Sequence, residues 1–170
     1  MSVTHLPFDA GRFARHHFDI AGLEDEIQVD HRCRDLLKAF CLDLVEGLGL
    51  APEAAGALAG GADYFLREFV IPDRRENLFQ LRPGRVRQFA GNWYIVRTLE
   101  PNMAELGAIL RGVDAFYDYC LRQGQVAEAL REQVRAETAD LSYYAERIRS
   151  FWAIAGDGFS AWDQACPLQD

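Results

Sequence analysis

The chain has 170 residues, 49% hydrophobic and 12% aromatic, with a formal net charge of −8. A chain of this length buries about 70% of its unfolded surface in one domain without disulfide or metal staples, and its apolar content excludes disorder over most of it. The acidic total excludes bulk electrostatic coating of nucleic acid or anionic membrane, but leaves room for one local basic face.

That charge is segregated. Residues 1–66 carry 11 acidic and 5 basic side chains, residues 67–111 carry 5 and 8, and residues 112–170 carry 10 and 5. The cations are 17 arginines and a single lysine, Lys38. The opening MSVTHLPFDAGRF shows no charged segment followed by an apolar run, so no secretory signal is expected. No uncharged run approaches the ~20 residues that span a bilayer, so no membrane partner is expected. Cys33, Cys41, Cys120 and Cys166 lack any CxxC pairing and read as small buried apolar residues, which suits a reducing cytoplasm.

In chain order, residues 1–21 read as an N-terminal arm with a short aromatic helix at 8–20. The acidic 22–31 segment reads as a turn. Cys33, Leu36, Leu37, Phe40, Cys41, Leu44, Val45 and Leu48 then fall at i, i+3, i+4 and their repeats, a stripe only a helix produces. Asp30 is its expected N-cap and Gly47 or Gly49 its stop. Pro52 opens the next helix, expected to kink at Gly60-Gly61 and to end before Pro72. Gly56 and Gly60, four apart, are expected to admit a neighbouring backbone. Residues 72–84 connect, with Leu78, Phe79 and Leu81 tucked beneath.

Residues 85–99 admit two readings. WYIVRTL is a run of good strand formers, whereas a helix puts Val86, Phe89, Ala90, Trp93 and Val96 on one face. The helical neighbours favour the helix. Pro101 opens a further helix through about Gln123, with Gly124 as its C′ residue. From Val126 to Ile154 an unbroken helix would run about 44 Å. It therefore breaks near 138–140, or projects and offers a face for self-association. The 156–170 tail is expected to dock through Phe159 and Trp162. The result is an all-α, single-domain bundle of about six or seven helices.

No GxSxG turn or glycine-rich phosphate loop is present, so no catalytic residue is assigned. His16, His17, His31 and Cys33 lie close in sequence, but no ligand pair sits at i+3 or i+4, and no metal or other cofactor is expected. The best functional lead is basic. Arg82, Arg85 and Arg87 bracket a helix start after Pro83-Gly84, where free N–H groups favour an anion, and Arg74, Arg75 and Arg97 extend the cluster. These arginines either form an open surface for DNA or a partner, or pair with the flanking carboxylates; the charge balance favours pairing. Phe89, Trp93, Tyr94 and Tyr117 are candidate walls of a small-molecule pocket.

Residues 85–124 resemble the helical, SAM-like core-binding domain at the N-terminus of tyrosine recombinases and phage integrases. The resemblance lies in Val86 and Phe89 near a helix-opening proline and in the later run AILRGVDAFYDYCLRQG. It implies a four- or five-helix bundle that clamps DNA through basic helix faces. It covers about 40 of the 170 residues. The chain departs from that family in its acidic balance and in lacking a catalytic domain; His31-Arg32-Cys33-Arg34 matches HxxR by letter only. Strand exchange is excluded on this chain. The expected function is a non-enzymatic interaction or regulatory module binding another protein or itself, with DNA binding and small-molecule binding as alternatives.

Overall fold

The computed structural model describes residues 7–168, so residues 1–6 of the expected arm and 169–170 of the expected tail lie outside the described residues; the short helix expected at 8–20 is a single 3-10 turn, Arg15–Phe18. α1 (23–47) begins earlier than its apolar stripe. Glu24, Asp25 and Glu26 occupy its first turn, where carboxylates complement the positive end of the helix dipole, so the acidic stretch read as a turn is helical. Asp30, expected as the N-cap, lies inside the helix and binds Arg67 through both carboxylate oxygens, at 2.9 and 3.2 Å. The stripe holds through Leu44, with Cys33, Leu36, Leu37, Phe40 and Leu44 all buried; Cys41 and Val45 are half-buried and Leu48, past the end of the helix, is exposed. Its last turn widens to π geometry, and Gly49 in the left-handed region (φ 75°) ends it as expected.

α2 (52–74) starts at Pro52 and runs through Gly60 and Gly61 without the expected break. It also runs past Pro72. A proline ring inside an α-helix collides with the carbonyl four residues back; here the backbone from Phe65 to Arg74 is in the wider π register, which moves that carbonyl away. Arg75, at φ 51°, closes the helix. Leu78, Phe79 and Leu81 are buried in the connection, as expected.

α3 (85–97) resolves the helix-or-strand ambiguity in favour of helix. It carries a π turn at Phe89–Trp93, and that extra residue rotates the turn after it. Val86, Phe89, Ala90 and Trp93 are buried together with Tyr94 and Ile95, while Val96, expected on the same face, is turned outward. α4 (Met103–Arg122) has Asn102 as its N-cap, accepting a hydrogen bond from the Glu105 N–H at 2.8 Å. Gly124 at φ 71° ends it, with the Gln125 N–H donating to the Cys120 carbonyl, a Schellman arrangement. The long expected helix breaks at Asp140 into α5 (Glu128–Ala139) and α6 (Leu141–Trp152), and α7 (Phe159–Gln164) comes last.

α2 and α4 form the most extensive helix pair. They approach where both carry glycine: a Cβ at Gly61 would lie 2.9 Å from the Ile109 carbonyl oxygen, and one at Gly112 would lie 2.9 Å from the Ala62 nitrogen. Gly56 and Gly60, expected at this crossing, have nothing within 4 Å and face outward. One hydrophobic cluster extends from Phe13 to Trp162. Among the described residues the chain is an all-α bundle of seven helices with no strand. No helix among them is long and apolar enough to cross a membrane.

Candidate functional site

The arginine cluster is committed to carboxylates within the chain. Arg85 is buried, at 4% exposure, with its Nε donating to Glu76 Oε2 at 2.9 Å; Arg82, largely exposed, meets Glu76 Oε1 at 3.2 Å. Arg87 donates to Asp140 at 3.0 Å and stacks over the Tyr143 ring at 3.7 Å. Asp73 collects a second group: Arg74 at 2.6 Å, Arg97 at 3.3 Å and the Trp93 indole N–H at 3.0 Å. Arg75 meets Glu26 at 3.3 Å. Of the two arrangements the sequence allowed, these side chains adopt internal pairing.

The start of α3, expected to attract an anion, does so from inside the chain. Glu137, on α5 and only 7% exposed, accepts the Gly84 N–H at 3.1 Å and the Arg87 N–H at 2.9 Å. The Gln133 amide donates to the same carboxylate at 2.9 Å. The free main-chain donors and the dipole of this helix end are thus neutralised by a residue some fifty positions later. Nothing local in sequence marks Glu137 for the role.

The expected aromatic pocket is core. Phe89, Tyr94 and Tyr117 are fully buried and Trp93 nearly so; Phe89 stacks on Trp93 at 5.6 Å and packs against Phe65 and Phe69. The Tyr117 hydroxyl donates to the Leu78 carbonyl at 2.8 Å. Trp93 alone reaches a surface depression, which is lined by charged and polar groups. These rings fill space rather than enclose it.

Reactive chemistry finds no assembly. Cys33 and Cys120 are buried on the core faces of their helices, where desolvation pushes both thiols far above their ordinary value and keeps them neutral. The exposed His16 and the half-buried His17 meet edge to face, with ring centres 4.2 Å apart. Among the described residues, no group of three His, Cys, Asp or Glu side chains could hold a metal ion.

A different surface emerges at the C-terminal end. The buried Arg147 of α6 donates to the Gly91 carbonyl at 2.8 Å and the Trp162 carbonyl at 2.7 Å, and lies 3.8 Å from the Trp162 ring centre. Asn92 donates to Asp163 at 2.8 Å and to the Cys166 carbonyl at 2.9 Å. These bonds clamp α7 onto α3 and α6, so the tail docks through Trp162 as expected. Phe159, the other expected anchor, is 45% exposed, and Trp152 is 60% exposed. The rings run Trp152–Phe151–Trp162–Phe159 with centroid separations of 5.9, 5.1 and 5.9 Å. The two outer rings face solvent and the inner two anchor them. Apolar periodicity alone assigns these residues to packing; only their exposure marks them otherwise.

No family model matches the chain, and neither a curated protein nor a solved structure matches it. The class defined by fold and surface is a seven-helix, all-α bundle with an aromatic edge on its last two helices.

Proposed function

We propose that the protein is a non-enzymatic helical interaction module that binds a protein partner through the aromatic edge of α6 and α7. One observation carries this reading. Trp152 and Phe159 are left 60% and 45% exposed in a molecule that buries its other two tryptophans. Aromatic side chains cost solvation to expose, and tryptophan leads the residues that anchor protein interfaces. Because Phe151 and the clamped Trp162 hold them from behind, little side-chain entropy is lost on binding.

A protein fits this edge better than DNA does. The same helices and their connecting loop offer no unpaired exposed cation to phosphate: Arg149 is paired with Glu146 and Arg147 is buried, while Asp157 and Asp163 add negative charge. The DNA-binding alternative draws on Arg82, Arg85, Arg87 and Arg97, each of which already holds a carboxylate, and no observation favours it. The test uses a partner captured from the native host and then purified. Its affinity for the wild-type chain is compared with that for the Trp152→Ala/Phe159→Ala variant. The variant is expected to bind at least about tenfold more weakly with an unchanged thermal midpoint. Equal affinity of the two proteins removes the edge as the interface.

A further inference from the structure

Arg111 stands apart from the paired arginines. Among the described residues, it and Arg34 hold neither a carboxylate nor a carbonyl; both are exposed, and Arg34 lines no described pocket. Arg111 instead lines a pocket of about 240 Å³ between α4 and the junction of α5 with α6.

The buried Gly107 and Leu110 form the pocket floor, and the partly exposed Leu141 lines it from α6. Gly107 is not demanded by helix packing. A Cβ there would meet only the Arg111 guanidinium, at 3.6 Å, whereas a Cβ at Gly112 would run into the backbone of α2. A glycine inside a helix is the poorest choice after proline, so the visible consequence of Gly107 is the open floor. The rim supplies Thr138 and a second guanidinium, Arg135, whose partner Glu132 is held at 2.6 Å in an exposed pair of the kind solvent screens. The one carboxylate in the lining, Asp114, is engaged at Oδ1 by Arg131 at 2.8 Å, and the Thr138 hydroxyl donates to the Arg135 carbonyl at 3.1 Å.

We propose that this pocket binds a small monocarboxylate with a short apolar body. The carboxylate pairs with the planar fork of Arg111, and the apolar part lies on Leu110 and Leu141. One uncommitted guanidinium balances one negative charge, which selects a monoanion over a dianion such as phosphate. The apolar floor and wall discriminate against a bare ion. The volume falls below the roughly 300–1,000 Å³ of sites for larger ligands, which sets the size class. This inference is independent of the aromatic edge.

The experiment is a calorimetric and NMR titration of the full chain with butyrate and benzoate. The matched amides and inorganic phosphate serve as controls, and Arg111→Gln and Gly107→Leu as variants. At least one acid is expected to saturate below about 10 mM, with neither its amide nor phosphate binding comparably. Arg111→Gln is expected to weaken binding at least about tenfold by removing the charge-assisted pair. Gly107→Leu fills the floor and is expected to abolish binding while circular dichroism shows the helices retained. Wild-type protein that saturates with neither acid, phosphate binding as tightly as the acids, or unchanged affinity in Arg111→Gln each overturns the proposal. Because Trp152→Ala/Phe159→Ala leaves this pocket intact, it is expected to bind the acid as wild type does.

Discussion

Glu137 shows how one side chain can change the meaning of a neighbouring motif. A proline-glycine turn opening a helix among arginines offers free N–H donors to any anion, yet here a buried carboxylate from α5 accepts two of them. Glu137→Ala would leave the Gly84 and Arg87 N–H groups without their carboxylate partner at a part-buried helix end. It is expected to destabilise the fold by about 1–3 kcal/mol, measured by urea denaturation. Glu137→Gln keeps an acceptor and loses the charge, so it should cost less. Sulfate should recover part of the alanine variant's stability by occupying the vacated helix end. A loss equal for both variants, insensitive to sulfate, would show that the carboxylate contributes only packing.

At the scale of the helix, what matters is which glycine faces which backbone. Gly60 and Gly112 both sit inside a helix, four and five positions from an earlier glycine, Gly56 and Gly107. Gly60 is exposed with nothing within 4 Å, so Gly60→Ala should stabilise by about 0.5–1 kcal/mol through helix propensity and a less flexible unfolded chain. Gly112→Ala would push a methyl group into the Leu58 carbonyl and the Ala62 nitrogen of α2, backbone atoms that cannot rotate away. It should cost about 1–3 kcal/mol. Thermal denaturation of the pair checks both signs in one experiment. The helices themselves are legible because Cys33, Leu36, Leu37, Phe40 and Leu44 repeat with the period of one helix face. The widened turn at Phe89–Trp93 is not, since its register is set by packing against Phe65 and Phe69 on α2, and a uniform helical period misplaces Val96 for that reason.

Across the whole molecule, the titratable groups buried in the core tie stability to alkaline pH. Burial raises the Tyr94 hydroxyl from its ordinary value near 10.0 to about 12, and raises Tyr117, Tyr119 and Tyr144 as well as the Cys33 and Cys120 thiols. The folded state therefore holds these protons more tightly than the unfolded chain. Their stabilisation is complete below the unfolded values, near 9 for thiols and 10 for tyrosines, and declines as pH rises through and beyond pH 10. The chain is expected to unfold in alkali with tyrosinate absorbance and loss of helical circular dichroism rising together. A gradual ionisation near pH 10 with the helices intact would contradict it. What the sequence determined by itself was the all-α class, most helix spans, the burial of three of the four cysteines, the break near residue 140 and the concentration of arginine in the middle third. Each comes from local period, capping or composition. Only the tertiary structure decided that those arginines face inward partners and that the aromatic quartet is core. It likewise left Trp152, Phe159 and Arg111 available. Pairing and exposure depend on contacts such as Gly84 with Glu137, 53 residues apart, which no local pattern encodes.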